Sequence, residues 1–336
     1  MNKQKKVYII LVNYNNETDT IECLESLLKQ SYSNYQVLVV DNSETEDSFN
    51  VLKDWSKGKY QDEIITKFPN LVFPLITKPV SNISLSEKEF SHKIEDIHDK
   101  VIFIKSEKNE GFAAANNIVL NALKTVKQDF ICWLLNNDTV VKSSALDAIV
   151  THSLSQNNHG VLGTSLMEYS CGEEIQSIGG LYNPKISKLN ISKNEDEFRK
   201  SEAIKYPNGA SMVVTKDYLD IVGPLSEDYF LYFEELDWVL KGAKKAFEPS
   251  FLVEELVYHK GGSSTGKNST LADYYYTRGR LILTLKFFKK FAPLVFLLTF
   301  VMFPLNRIIR GQFKRVFIIF KAFKSVYKWS LNRKNV

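Results

Sequence analysis

The sequence predicts an α/β fold, a mainly parallel sheet with flanking helices, followed by a basic amphipathic helical tail. Apolar runs of strand length alternate with helix-spaced segments, the βαβ pattern of a sheet buried on both faces. These runs end in amides or carboxylates, at Asn13, Asp41 and Asn136 to Asp138, where a parallel sheet gathers ligands. Charge is divided as well. Residues 274–336 hold fourteen Lys and Arg and no acid, so a net charge of +4 leaves −10 for residues 1–273.

The elements follow in order. Val7–Val12 is the first strand; the three lysines before it imitate a signal peptide, but the apolar run is only six residues and ends in a polar cluster. Asp19 with Glu22 resembles a capping box opening a helix whose Ile21, Leu24, Leu27 and Leu28 repeat at helical spacing. YQVLVVDNS is the second strand. Residues 56–100, charged and containing Pro69, Pro74 and Pro79, read as an inserted excursion. VIFIKS resumes the sheet, AAANNIVLNALKTV is a helix, and FICWLLNND is a buried strand that breaks into polar residues. A Gly-rich GGLYNP, a strand GASMVVT, a helix KDYLDIVG, the acidic and aromatic DYFLYFEELDWVLKGAKKAF and a strand running into VYHKGGSSTG complete the body. The expected organisation is a domain over 1–280, with 56–100 inserted, and a tail over 281–336.

Composition bounds the function. With 44% hydrophobic and 24% charged residues, the 336-residue chain can bury a sizeable core. The acidic body argues against a nucleic-acid binder, whereas a basic, aromatic-rich tail suits the anionic cytoplasmic face of a membrane. Cys23, Cys132 and Cys171 form no C-x-x-C pair, so a reducing cytosol is the simplest setting and a cysteine zinc site is not indicated. Without export, the Asn-x-Ser/Thr triplets at Asn82, Asn190 and Asn268 carry no glycosylation meaning.

Three groups of residues could carry chemistry. Asn13 with Asn15, and Asp41 with Asn42, suit a base and ribose at the sheet's crevice, although Asn and Asp also favour ordinary turns. Asp138 can hold a hard divalent cation whose remaining ligands are water and phosphate oxygens; on its motif alone, a helix N-cap is the commoner role. FEELDW crowds Glu234, Glu235 and Asp237 among aromatic residues, which raises carboxyl pKa values and poises a general base; acids at a helix N-terminus also complement the macrodipole. His259 could serve as a metal ligand or diphosphate contact, against the usual structural role of a lone histidine. GGSSTGKN, 261–268, nearly matches a P-loop, but Asn268 replaces the hydroxyl that ligands magnesium and no strand follows to supply a second aspartate. A P-loop nucleotidase and a noncatalytic membrane scaffold stay as remote alternatives.

In register, ILVNYNN, LVVDNS, NEGFAAANN, WLLNNDTVV, NGASMVVTKDYLDIVGPLSEDYFLYFEELDW and YHKGGSSTG resemble the inverting family 2 glycosyltransferases of the GT-A fold, over about Val7 to Arg280. The resemblance implies transfer of a sugar from a nucleoside diphosphate donor. It implies that Asn13, Tyr14, Asn15, Asp41 and Asn42 hold the nucleoside, with Gly111, Asn116 and Asn117 near the same pocket and Asn136 and Asn137 beside the donor. Asp138 matches the last acid of the family's D-x-D motif and would carry Mg²⁺ or Mn²⁺, with His259 beside the diphosphate. Glu235 matches the position of the base, with Glu234 and Asp237 as runners-up. Asn136 in place of the motif's first acid resembles the bacterial rhamnosyltransferase-like branch, which favours dTDP-rhamnose; a UDP-hexose or UDP-galactofuranose is the alternative donor.

The tail begins with FAPLVFLLTFVMFPLN, 291–306, short of the ~20 residues that span a bilayer. Beyond it, Arg307, Arg310, Lys314, Lys321, Lys324 and Lys328 fall on one helical face, and Ile309, Phe313, Val316, Phe320, Phe323 and Tyr327 on the opposite one. This is the pattern of an interfacial helix, with homodimer packing as the alternative. A membrane-bound member of the resembled family would extend a polyprenyl diphosphate-linked glycan on the cytoplasmic face of the cell membrane, in O-antigen, capsule or wall polysaccharide synthesis.

Overall fold

The computed structural model describes residues 4–60, 64–91, 94–155, 159–261 and 270–332. The first half consists of β1 (Lys6–Asn13), α1 (Glu17–Leu27), β2 (Tyr35–Asp41), α2 (Asp47–Ser56), α3 (Pro69–Val72), β3 (Asn82–Ser86), α4 (Glu87–Phe90), β4 (Val101–Lys105), α5 (Phe112–Leu123) and β5 (Phe130–Asn136). There follow β6 (Thr139–Val141), α6 (Ala145–Ser155), β7 (His159–Glu168), β8 (Ile175–Ser177), β9 (Gly179–Asn183), β10 (Lys188–Ser192), α7 (Glu195–Lys200), β11 (Ile204–Tyr206), β12 (Ser211–Thr215) and α8 (Lys216–Val222). The chain closes with α9 (Glu234–Ala243), β13 (Glu248–His259), α10 (Thr270–Phe287), α11 (Ala292–Ile309) and α12 (Phe313–Asn332).

The main sheet runs β3-β4-β2-β1-β5-β12-β7-β13-β6, with β8 on β7. From β3 to β5 all neighbours are parallel, and β12 enters antiparallel between β5 and β7. Strand order reverses at β1, between β2 and β5, which opens a crevice beyond the carboxyl ends of these strands. Alternation along β1 feeds two cores: Val7, Ile9 and Leu11 pack towards α1, α2 and α6, while Tyr8 and Ile10 pack towards α5, α8 and α9. All seven residues of β2 are buried, as a parallel strand covered on both faces requires.

Several sequence expectations are revised. The residues 56–100 are more than an excursion, because β3 adds an edge strand beside β4. They are pinned to α1 by a buried ion pair, Lys78 Nζ to Glu25 Oε1 at 2.6 Å; the same carboxylate accepts from Trp55 Nε1 at 2.8 Å and Ile76 N at 2.9 Å. The Gly-rich GGLYNP, given no element by its sequence, forms β9, where Gly180 makes room for the Tyr206 ring, 2.0 Å from where a Cβ would sit. Asp19 and Glu22 form no capping box; α1 starts at Glu17 and both acids grip Lys260 instead. The expected 280/281 boundary falls inside α10.

The tail also differs. A 3-10 turn, Lys289–Phe291, continues into α11, making 21 residues over Lys289–Ile309 that are long and apolar enough to cross a membrane by length and composition. The single helix expected through Arg307 and Lys328 is two helices broken at Gly311, whose φ of +67° ends α11. α12 returns antiparallel along α11, with Phe296 against Phe323 and Phe300 against Phe320. Arg307 and Arg315 turn inward to Asp273 on α10, so Arg307 leaves the expected basic face.

Candidate active site

The carboxyl ends of β1, β2 and β4 lie in one row, because Asn13 is in register with Asp41 and Asp41 with Lys105. Asn13 and Asp41 are wholly buried and engaged with protein. Asn13 Nδ2 donates to Asp41 Oδ1 and Ser48 Oγ, both at 2.7 Å, and Thr20 Oγ1 donates to Asn13 Oδ1 at 2.8 Å. Lys105 Nζ closes on Asp41 Oδ2 at 2.8 Å. These two side chains therefore form the floor of the crevice. The neighbours that can reach a ligand are Tyr14 and Asn15, both exposed, with Asn15 in a left-handed turn at φ +47°. Asn42 Nδ2 donates to Asn109 Oδ1 at 2.9 Å, and the same Oδ1 accepts from Gly111 N at 3.1 Å, so the end of β2 is tied to the start of α5.

Gly111 is needed where it stands. Its φ is +97°, and an added Cβ would lie 2.2 Å from the Phe230 carbonyl oxygen, which accepts from Phe112 N at 3.0 Å. Asn116 turns back to the Phe112 carbonyl at 2.9 Å. Asn117 points away from the crevice: it donates to Leu225 O and Glu227 Oε1, and its own Oδ1 accepts from Leu225 N at 3.0 Å. Asn116 thus bonds back within α5, and Asn117 ties α5 to the segment around Leu225 and Glu227.

Asp138 is not a helix N-cap. It sits in the tight turn between β5 and β6, and α6 starts only at Ala145. Asn137 beside it donates to Thr20 Oγ1 at 2.8 Å, and the half-buried Asn136 ends β5. Because β6 pairs with β13, the turn faces the end of β13, and Asp138 Oδ1 stands 3.2 Å from His259 Nε2. His259 Nδ1 lies 2.6 Å from Gln176 Oε1. Gln176 Nε2 donates to Glu168 Oε2 at 3.1 Å and to His259 O at 3.0 Å, which fixes the amide orientation and leaves Oε1 as the acceptor. The ring proton then belongs on Nδ1. In a ring carrying one proton, Nε2 presents a lone pair towards the Asp138 carboxylate, and an imidazole nitrogen facing a carboxylate oxygen is a donor set that fits a divalent cation. Among the described residues no group of three His, Cys, Asp or Glu side chains could hold a metal, so two protein ligands leave the remaining positions to phosphate oxygens and water.

The third part is the N-terminus of α9. Tyr232 and Phe233 both have left-handed backbones, φ +68° and +76°, a costly pair that turns the chain sharply into the helix. Burial, followed by the charge of Glu235, holds the Glu234 carboxyl well above its ordinary range, and Glu234 Oε2 has no hydrogen-bond partner among the described residues. Burial pushes half-buried Glu235 up to about 7, against nearby backbone N–H groups that favour its charged form. Asp237 does not share this role: it is fully buried, accepts from Tyr229 OH at 2.9 Å and pairs with Lys286. The Phe230 carbonyl accepts from Phe112 N at the start of α5, which ties the segment before α9 to the carboxyl-terminal rim of the sheet, and the Asp138 turn after β5 lies on that rim. Tyr206, whose phenol is raised by burial and then by the Glu235 charge, leads through Ala210 to Asn136, whose N–H donates to the Ala210 carbonyl at 2.9 Å.

Sequence reading missed Gln176, Lys105 and Lys260. Lys260 adjoins His259 and clamps Asp19 and Glu22; burial opposes its charge, but the two carboxylates outweigh that and raise its pKa. Gln176 carries no sequence signal, being 83 residues from its histidine. The near-P-loop stretch lies outside the described residues from position 262 onward.

Most of the chain superposes on solved glycosyltransferases. It covers 97% of its own length and 76% of the mannosyltransferase PcManGT from Pyrobaculum calidifontis, solved with GDP-Man and Mn2+, at 12% identity and TM-score 0.53. It also covers 83% of itself and 48% of GalNAc-T7, solved with UDP, GalNAc and Mn2+, at 13% identity and TM-score 0.54. These likenesses establish the GT-A fold. EpsE of Bacillus subtilis (strain 168), a protein assigned as a glycosyltransferase, is 34% identical over 64 residues, 19% of this chain and 23% of that protein. Residues 8–70, which span β1, α1, β2 and α2, match the family described as Glycosyl transferase family 2.

Proposed function

We propose that this protein transfers a sugar, with inversion, from a nucleoside diphosphate donor to a hydroxyl acceptor. The observation that carries this reading is the Asp138–His259 pair on the same rim as a carboxyl raised to about 7. Asp138 and His259 would hold Mg²⁺ or Mn²⁺, which supplies positive charge to a leaving diphosphate. The protein's own residues do the rest. Tyr14 and Asn15 border the nucleoside end of the crevice, and the floor of Asn13, Asp41 and Lys105 keeps that end rigid. Ionised Glu235 accepts the proton of the acceptor hydroxyl as its oxygen attacks the anomeric carbon. The bond from that carbon to the diphosphate oxygen breaks on the opposite face, and the electron pair leaves with the diphosphate. Glu235→Gln is expected to lower turnover by about 10²-fold to 10⁴-fold while donor binding persists. Near-wild-type turnover would move the base to Glu234 or elsewhere.

The donor favoured is dTDP-rhamnose, on the Asn136-Asn137-Asp138 pattern, with a UDP-hexose or UDP-galactofuranose as the second reading. The acceptor favoured is a polyprenyl diphosphate-linked glycan at the cytoplasmic face of a membrane, in bacterial surface polysaccharide synthesis. Support comes from the outer faces of α11 and α12, where Leu297, Val301, Leu305, Phe313 and Phe317 are exposed beside exposed Arg310, Lys314, Lys321, Lys324 and Lys328. α11 is packed along α12, so crossing the bilayer would carry the lysines of α12 with it, at about 2.5–3.5 kcal/mol for each at mid-depth. Lying in the interface, with lysines at the headgroups and aromatic rings below, avoids that cost.

A further inference from the structure

We infer that the cavity between the second half of α9, the end of α10 and α12 is a binding site for a phosphate-bearing anion. The cavity has a volume of about 650 Å³, and its walls include Lys241, Lys244, Lys286, Lys289, Ser226 and Trp329. Four ammonium groups therefore face one space in a body that is otherwise acidic. Two carboxylates lie against them: Lys286 pairs with Asp228 at 3.1 Å and with Asp237, and Lys241 Nζ stands 3.6 Å from Asp237 Oδ1. Among the described residues, no carboxylate comes within ion-pair distance of Lys244 or Lys289, which leaves two positive charges unbalanced at the mouth. Burial lowers the pKa of Lys241; Asp237 opposes this in part, and the Lys286 charge adds to it. An anion bound among the four lysines would relieve that repulsion.

The chemistry selects phosphate. The lysines act as point charges that meet a compact, multiply charged oxyanion from several directions, and a phosphate group carries more charge to offset them than a single carboxylate does. The position suggests where such an anion arises. Lys289 begins the apolar run of α11, and Trp329 belongs to α12, so the cavity opens at the foot of the two helices with exposed apolar faces. A phospholipid or polyprenyl phosphate headgroup would reach it from a membrane lying on those helices, an origin that rests on the membrane reading above. Free phosphate has the same chemistry. The cavity lies at the far end of α9 from Glu235, so occupancy is separable from turnover.

The test uses the full-length protein and calorimetric titration, with inorganic phosphate in one arm and monomeric dihexanoyl phosphatidic acid in the other. Lys244→Ala with Lys289→Ala is compared with an equal loss of charge outside the cavity, Lys124→Ala with Lys127→Ala. All four lysines are exposed, and circular dichroism checks that each variant is folded. The proposal expects binding that weakens roughly tenfold or more in the cavity variant and changes by less than about twofold in the control. Tighter binding of the short-chain lipid identifies a headgroup site, and equal affinity for inorganic phosphate identifies a free-phosphate site. Failure of both ligands to bind, or equal weakening in the two variants, overturns it. Because no step requires sugar transfer, a negative result here leaves the transferase reading standing, and an inactive enzyme that still binds phosphate does the reverse.

Discussion

Glu235 combines partial exposure with a carboxyl raised to about 7 by burial, and both pH behaviours of the protein follow from this. As a base it works only when ionised, so kcat/KM should rise with pH along a limb near 7, well above the ordinary glutamate range. Stability runs the other way. Between about 4.5 and about 7 the unfolded chain has released a proton that the folded chain retains, so the folded state loses stability as pH rises through that window. Urea unfolding at pH 5 and pH 8 should show a smaller loss in Glu235→Gln than in the wild type; identical losses would assign the raised carboxyl elsewhere. A second residue prediction concerns Gln176. Gln176→Leu removes the acceptor that fixes the His259 proton on Nδ1, and Mn²⁺ affinity read by electron paramagnetic resonance should fall by about 10-fold to 100-fold. Unchanged affinity would make that contact incidental. At this scale the sequence announced residues with a local signature: Asp138 at the end of an apolar strand, and three acids among aromatic rings. Composition and spacing did not separate Glu235 from Asp237, which only the family resemblance ranked, because their physical difference lies in Lys286 and Tyr229, which arrive from other segments.

The N-terminus of α9 is set by its neighbours more than by its own residues. Two successive left-handed residues, Tyr232 and Phe233, are held down by α10, where Gly279 lets the Phe233 ring approach to 2.6 Å from where a Cβ would be. Gly279→Ala should therefore shift that turn and reduce kcat with little change in donor affinity, measured by steady-state kinetics and nucleotide titration. A wild-type kcat would mean the turn does not position Glu235. On the next turn of the helix, Asp237 depends on Lys286. Lys286→Met leaves a fully buried carboxylate with Lys241 as its remaining cation at 3.6 Å, and should destabilise the fold by about 3 kcal/mol, read from urea midpoints. A truncation that removes Lys286 has the same defect, so the tail cannot be cut cleanly before α11. Elements were legible where periodicity alone decides them, as in β1, β2, β4, β5 and α8. The break at Gly311 was not: the polar and apolar stripes run on across it, and only the positive φ turns α12 back on α11. β6 was missed because three residues are too few to show a period, and β9 because GGLYN carries no apolar run to mark a strand.

Across the whole molecule, reversal of strand order at β1 gathers residues from positions 13 to 259 at one rim, while α10 links that rim to the α11–α12 hairpin. The parallel order could be read from the sequence because each βαβ unit is local, whereas the antiparallel insertion of β12 between β5 and β7 depends on contacts some eighty residues apart. The meeting of Asp138 with His259 is the long-range fact on which the function rests, since β6 carries the first residue to the end of β13. Titration of a nucleoside diphosphate into the full-length protein, with and without Mn²⁺, tests that meeting most directly when the wild type is compared with Asp138→Asn. The wild type should bind tightly only when the cation is present, and Asp138→Asn should lose that cation-dependent gain. Cation-dependent binding of equal strength in Asp138→Asn would contradict the site described here.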